Sequence, residues 1–410
     1  MYAMLNFYTK SNKEKYDLKI YKETKYSKMK SVENGKEVLL EDCMSPSFYE
    51  RFYPSIEAFF NGEIQEEAFI GCLPLVAVKC PDDATIIDTY AFKDCLYLKN
   101  IELPLNLKVL KYGCFSNCQS LNVIQLPDKL EEIEEMVFNF CENLKSINIP
   151  NSVERLGYRA FLECKELQSI NIPDKIKKIE YQTFDKCNNL KEISGLKNVE
   201  EIEAGAFSNC NIKNIGTKIN PDLVFSDKLK VIKESAFINC KNLTNVELPD
   251  SVIELGKDTF AGCDNLKNIR LSNNIKILPE AIFFHCTRLN NISLESIEEI
   301  GEYAFSGCLS LKNVVLSKDL KEVENSAFAH CRSLKEFNIV SNYIRLGNYV
   351  FENCNNLKEI DMNKIESYCK NTFKNSGILL QEQGSLDTLI DKLKNFKCRL
   401  SDSKIDENIR

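Results

Sequence analysis

The sequence is expected to fold as a repeat solenoid of the α/β type, mostly β, in which about fourteen coils of about 23 residues stack into a curved parallel sheet. Three observations predict this. The pattern Phe-x-x-Cys returns at a near-constant interval along three quarters of the chain. Leucine and isoleucine columns travel with it in fixed register. A unit of 23 residues cannot bury its own apolar face, whereas stacked units can, which is the physical basis of a solenoid.

The first observation is the most constraining. Phe-x-x-Cys ends at Cys72, Cys95, Cys118, Cys141, Cys164, Cys187 and Cys210, each 23 residues after the last. After one interval of 30 it resumes at Cys240, Cys263, Cys286, Cys308, Cys331 and Cys354, at intervals of 22 or 23. A fourteenth copy, Phe373 to Ser376, has lost the cysteine. Leucine follows three residues after most of these cysteines, as at Leu98, Leu144 and Leu266, and Ile or Val follows after six, as at Ile101 and Ile147. The unit reads C-x-x-L-x-x-I-x-L-P-x-x-V-x-x-I-x-x-x-A-F-x-x-C. Its I-x-L segment has the period of a strand, and identical coils set such strands side by side, with about 4.8 Å between neighbours. Fourteen would give a body on the order of 65 Å long. Proline at the strand end (Pro104, Pro127, Pro150, Pro173, Pro249) stops the ladder and turns the chain. The V-x-x-I stretch is expected as a weaker extended segment on the opposite side, and Phe, preceded by a small residue, closes the coil.

The repeats divide the chain into a region of residues 1–62, the solenoid over 63–379, and a tail over 380–410. Residues 1–40 hold nine Lys and five acids, and YDLKIYKETKY (16–26) alternates like an edge strand. SFYERFYPSIEAFF (47–60) is dense in aromatics and suits a cap on the first coil, because an open solenoid end must be covered. A separate binding module is the alternative. In SLDTLIDKLKNF (385–396), Leu386, Leu389, Ile390 and Leu393 share one helical face, suited to the last coil or to a second copy.

Composition excludes several classes. The 44% hydrophobic and 28% charged residues describe a globular chain, with no apolar run long enough for a membrane-spanning helix. A net charge of −7 argues against general nucleic-acid binding. The start, MYAMLNFYTKSNKEKY, lacks the apolar core of a secretory signal, which points to the cytoplasm. No phosphate-binding GxxxxGK[ST] or GxGxxG occurs, and no cofactor is implied.

The 18 cysteines invite disulfides, zinc or nucleophilic catalysis. Thirteen of them form one column, in which parallel side chains point the wrong way for a bridge. There is no C-x-x-C pair, and Cys114 merely takes the small-residue slot before Phe115. His285 and His330 each precede a column cysteine, forming formal pairs with Cys286 and Cys331, but a nucleophile needs an exposed, activated thiolate. The column is therefore expected to be buried, weakly hydrogen-bonded thiol, and the chain is not expected to be an enzyme.

With Phe, Leu, Ile and Cys in this register, the unit resembles the BspA-like leucine-rich repeat, the Treponema pallidum type, over residues 64–379. The resemblance implies a curved, non-enzymatic solenoid that binds other macromolecules, and many family members are surface or secreted proteins. A cell-surface location is the alternative to the cytoplasm.

Residues four, five and seven after the cysteine should face outward on the concave side. The first of these is Lys in seven coils, at Lys99, Lys145, Lys191, Lys267, Lys312, Lys335 and Lys358, and Lys213, three residues after Cys210, joins the same stripe. Asn268, Asn313 and Arg270 lie on the same stripe. The opposite segments are acidic, as in LEEIEE (130–135) and IEEIGE (297–302). A basic, amide-rich stripe would dock a protein partner, acidic or of a host or matrix, without a single aromatic anchor. The alternative is an adhesive antigen with no one specific site. The extra residues around GTKINPDLVFSD (216–227) read as a loop, either a tolerated bulge or an element beside the binding face.

Overall fold

The computed structural model describes residues 64–378, apart from 73–74, 81 and 217–222, and the backbone of five strands nearer the N-terminus. The described chain is a parallel β-solenoid of about 12 turns. It carries no α-helix, only two short 3-10 turns, so the expected α/β character gives way to an all-β coil with turns. The Phe-x-x-Cys stretch of each coil is a run of turns rather than a helix. All fourteen phenylalanines nevertheless join one stack. The turn count is lower because, beyond Asn313–Leu316, the long ladder thins to a single bridge, Glu336 to Glu359.

Most coils contribute a short strand to one side of the solenoid, where Val123–Gln125 to Asn313–Leu316 form a long ten-stranded ladder that includes Ser146–Asn148 and Asn268–Arg270, and Asn100–Glu102 closes a separate sheet with the strands nearer the N-terminus. Neighbouring strands are parallel and in direct register, for example Asn245 opposite Asn268 and Val246 opposite Ile269. The central Ile or Val is buried and its two neighbours are exposed, the alternation expected of a sheet with one covered face. On the other side, two-residue strands such as Glu132–Ile133 and Arg155–Leu156 form short ladders. This is the weaker second extended segment that the V-x-x-I pattern predicts. Ile, Leu, Val, Phe and Cys from both ladders form one continuous core.

The turn at Phe-x-x-Cys ties coil to coil. The phenylalanine rings stack along the whole solenoid with centroids 4.9 to 6.0 Å apart, and Phe92 to Phe328 are fully buried. Twelve column cysteines donate their thiol hydrogen to the phenylalanine carbonyl of the preceding coil, at 3.0–3.3 Å. Around Phe161, the backbone N–H donates to Thr183 O at 2.9 Å, and the carbonyl accepts from Cys187 Sγ at 3.1 Å. The residues two before and two after the stacked Phe take the left-handed conformation in nearly every coil, as do Arg159 (φ 53) and Glu163 (φ 58). Gly71, Gly113, Gly205, Gly262 and Gly307 fill five of these positions and other residues the rest, so glycine marks them in only a few coils.

The long interval between Cys210 and Cys240 is more than a bulge. Its coil places two strands in the long ladder. Leu223–Val224 pairs with the preceding coil through Ile193, and Asn214–Gly216 pairs with the following coil through Asn245. The two also pair with each other, so the ladder gains a strand there. The phenylalanine stack does not register the insertion, since Phe207 and Phe237 remain 5.4 Å apart.

At the N-terminal end, Ile56–Ala58 continues the ladder in parallel from Ala77–Lys79. It is followed by an antiparallel meander of Met4–Tyr8, Lys15–Tyr21, Lys28–Glu33 and Lys36–Leu39. The strand expected at an edge, within 16–26, is internal, because it pairs with both Met4–Tyr8 and Lys28–Glu33. Its alternation reflects the pleat rather than an open edge. The rest of 47–60, and the tail at 385–396, lie outside the described residues.

Two substitutions test the coil. Phe161→Ala removes a ring stacked on both sides and should cost about 3–5 kcal/mol, read as a lower midpoint in denaturant unfolding; an unchanged midpoint contradicts the stack. Gly195 sits at φ 83 in the turn where Leu196 replaces the usual proline, and an added Cβ would lie 1.9 Å from Ile172 O. Gly195→Ala should therefore destabilise, and by more than the gain of about 0.4–1 kcal/mol seen where alanine fits.

Candidate partner-binding face

The exposed surface of the long ladder is where the sequence places its candidate residues. Lys145, Lys191, Lys213, Lys267, Lys312, Lys335 and Lys358 are exposed on it, and Lys99 is half-buried. Lys145, Lys191, Lys267, Lys312, Lys335 and Lys358 make no ion pair among the described residues. Each stands at the same point of its coil, so the array is a file of ammonium groups one coil or a few coils apart.

The amides beside them are ordered differently. Asn245 Nδ2 donates to Asn214 Oδ1, Asn268 Nδ2 to Asn245 Oδ1, and Asn313 Nδ2 to Asn291 Oδ1, each at 2.9 Å. Register alone produces this ladder, since these residues lie directly opposite one another in the sheet. Arg270, grouped with the lysines by spacing, is engaged within the chain. Its guanidinium donates to both carboxylate oxygens of Asp250 at 3.0 Å and to Leu248 O at 2.8 Å. The Asn273 backbone N–H and this guanidinium together hold the Asp250 carboxyl below its usual range.

The opposite face carries the acidic segments, but its charges are largely neutralised from coil to coil. Lys108 pairs with Glu131, Lys178 with Glu203, Lys321 with Glu298, and Arg345 with Glu322, at 2.6–3.0 Å. Arg155 bridges Glu132 and Glu135. Such exposed pairs contribute about 0–1 kcal/mol each. Lysines without an ion pair among the described residues remain on both faces: six on the long-ladder face, where Glu192, Glu336 and Glu359 also stand exposed, and Lys177, Lys230 and Lys276 opposite.

Aromatics, absent from that face, appear on the flank beside the phenylalanine turn. Tyr90 and Tyr112 meet edge to face at 5.3 Å, Lys93 lies 4.4 Å from the Tyr90 ring, and Arg159 lies 5.2 Å from that of Tyr181. The tyrosines precede the column Phe by two or three residues, a signal readable only once the coil is aligned.

The cysteine column is inert chemistry. Every column cysteine is buried, and none of the described cysteines is bridged. Burial pushes the Cys141 thiol up from 9.0 to about 12, and Cys286 and Cys331 rise well above 9.0 for the same reason. His285 is exposed and its ring packs edge-on against Phe284, while Cys286 Sγ donates to Phe260 O. His330 lies 3.4 Å from Asn353 Nδ2. Neither histidine activates a thiolate. Among the described residues, no three His, Cys, Asp or Glu side chains gather to hold a metal, and no helix is long and apolar enough to cross a membrane.

Two solution measurements follow. Thiol titration of the native protein should show few reactive groups, and about eighteen after denaturation; many fast native thiols would contradict burial. Raised folded pKa values also fix a pH dependence. The unfolded thiols lose protons near 9.0 and the folded Cys141 near 12, so their contribution is intact below pH 9.0 and is lost as pH rises toward 12. The melting temperature should fall across that window, and should fall less steeply in a variant with several column cysteines changed to Ala.

The comparisons with known proteins agree with this geometry. The family model for the BspA type leucine rich repeat region matches residues 62–165, 110–223, 216–297 and 294–384. A leucine-rich repeat protein of Bacteroides ovatus shares the fold with a TM-score of 0.72 and 24% identity, over 88% of this chain and 91% of that one. The Treponema pallidum leucine-rich repeat protein is 31% identical over 40% of this chain and 84% of that one, with a TM-score of 0.36. A leucine-rich cell surface protein of Faecalibacterium prausnitzii is 23% identical over 77% of this chain and 93% of that one, with a TM-score of 0.45. No match was found among curated proteins. The chain belongs to the BspA-type leucine-rich repeat family.

Proposed function

We propose that the chain is a non-catalytic scaffold that binds a protein partner along the long-ladder face, the side expected to be concave, and that the contacting surface of that partner is acidic. One observation carries the reading. Six exposed lysines of that face make no ion pair among the described residues, while many charges of the opposite face are paired from coil to coil. Lysines left unpaired in a file repel one another, and a carboxylate-rich surface relieves that repulsion. Charge complementarity of this kind acts mainly on the association rate and on partner choice, and weakens with salt. With no aromatic anchor on this face, affinity is spread over several coils.

The file of free, buried thiols suits a reducing compartment, which favours an intracellular partner. The neighbouring protein described as a cell surface protein keeps exposure outside the cell as the alternative. An adhesive role without one specific site has its own support in the self-bonded asparagine ladder, a uniform surface repeated over several coils.

Changing Lys267, Lys312, Lys335 and Lys358 to Glu tests the docking reading. Capture of the partner should be abolished, with the fold retained by circular dichroism. Retained capture would move the site to the flank or the ends. A gradual loss with each single reversal would favour the adhesive reading.

A further inference from the structure

Four coils carry an acid one residue after the turn proline: Asp82, Asp128, Asp174 and Asp250. Two of these acids are paired within the chain. Asp250 is bonded by Arg270, which stands twenty residues later on the neighbouring coil. Asp174 pairs with Lys197 at 2.6 Å. Asp82 has no hydrogen bond or ion pair among the described residues, and the residue twenty places later is Glu102, a like charge engaged with Lys79.

Asp128 is the unpaired acid that lines a cleft. Its carboxylate is exposed and has no hydrogen bond or ion pair among the described residues. The residue twenty places later, where Arg270 stands relative to Asp250, is Asn148. The asparagine side chain is too short to repeat the arginine contact. Beside it opens a cleft of about 340 Å³, lined by Asp128, Asn148, Pro150, Asn151, Ser152 and Asn171. The nearby cations are directed elsewhere: Lys129 Nζ to Asn106 Oδ1 at 2.7 Å, and Lys175 Nζ to Glu154 at 2.6 Å.

We propose that this cleft is a docking slot for a guanidinium, the side chain of an arginine presented by the protein partner. Arg270 shows from within the chain what the site recognises. In its coil a guanidinium bonds the post-proline carboxylate through two hydrogen bonds and the carbonyl two residues upstream through a third. By their offset in the coil Asp128 and Leu126 correspond to Asp250 and Leu248, and Asp128 and Asn148 line the cleft. A planar, permanently charged fork suits a carboxylate and a carbonyl better than an ammonium does. At about 340 Å³ the cleft is near the lower end of ligand pockets, the size for one side chain rather than a larger ligand. Arginine is also among the residues that dominate binding at protein interfaces. The slot gives the lysine face a fixed point of register, supplying specificity that a file of equivalent lysines lacks. The inference deepens the docking reading but is testable apart from it.

The test is saturation-transfer NMR on the full chain with Nα-acetyl-argininamide as the probe, and the matching citrulline amide as the uncharged control. Wild type should bind the arginine probe saturably in the millimolar range, and the citrulline probe at least tenfold more weakly. Asp128→Asn should abolish saturable binding. Asn148→Arg should abolish it as well, by filling the slot from within, and should keep or raise the melting temperature because it adds an Arg–Asp pair. Arg270→Asn should open a second slot and double the binding stoichiometry. Reversing the four lysines should leave the probe bound, so failure of the docking reading and failure of the slot are distinguishable. Equal binding to wild type and Asn148→Arg, equal binding of the citrulline probe, or no saturable binding to wild type would each overturn the slot.

Discussion

The structure depends on one exchange repeated at every Phe-x-x-Cys turn. A phenylalanine ring stacks between those of its neighbours, its N–H donates forward, and its carbonyl accepts a thiol hydrogen from the next coil. That carbonyl also accepts from the backbone N–H of its own coil's cysteine, as Phe161 O does from Cys164 N at 3.1 Å, so the thiol adds a second, weak hydrogen bond from a side chain small and apolar enough for the core. Each buried ring adds roughly 1.5–3 kcal/mol. The copy that has lost its cysteine, at Ser376, is the terminal one, where that residue is half-buried rather than sealed.

Because each coil contacts only its neighbours, stability is a sum of coil and interface contributions. The faces are then free to vary. The extra strand at Leu223–Val224 shows how far: it widens the long ladder while the phenylalanine stack passes through unchanged. The same freedom lets one face pair many of its charges from coil to coil and the other leave six lysines without an ion pair among the described residues. A single substitution at one strand position, Arg in one coil and Asn in another, decides whether an acid is satisfied within the chain or left open to a partner.

Much of this was legible in the sequence, and the parts that were not have identifiable causes. The Phe, Cys, Leu and Ile columns announce themselves because every coil imposes the same packing demand at the same offset. Burial of the thiols and exposure of the lysines followed from that register. The left-handed pair around the stacked Phe was hard to see, since other residues, among them Tyr, Asp, Arg, Glu and Asn, occupy most of its positions and glycine only five. The extra strand was hidden because a one-residue deletion after Cys210 and an insertion before Leu223 mask two copies of the same apolar slot. The mostly-β solenoid was as expected, with about 12 turns against about fourteen copies of the motif. Which lysines pair, and the relation of Asp128 to Asn148, depend on residues twenty or more apart meeting across neighbouring coils. Reading the offset between Asp250 and Arg270 onto the other coils would have been the signal.

The central claim is that the long-ladder face, with its unpaired lysines, is where the partner sits. Lysine acylation footprinting of the complex against the free protein, read by mass spectrometry, tests it most directly. The account predicts that Lys145, Lys191, Lys267, Lys312, Lys335 and Lys358 become protected together, while the paired Lys108, Lys175 and Lys321 of the other face keep their reactivity. Protection confined to Lys108, Lys175 and Lys321, with the six ladder lysines still reactive in the complex, would contradict it.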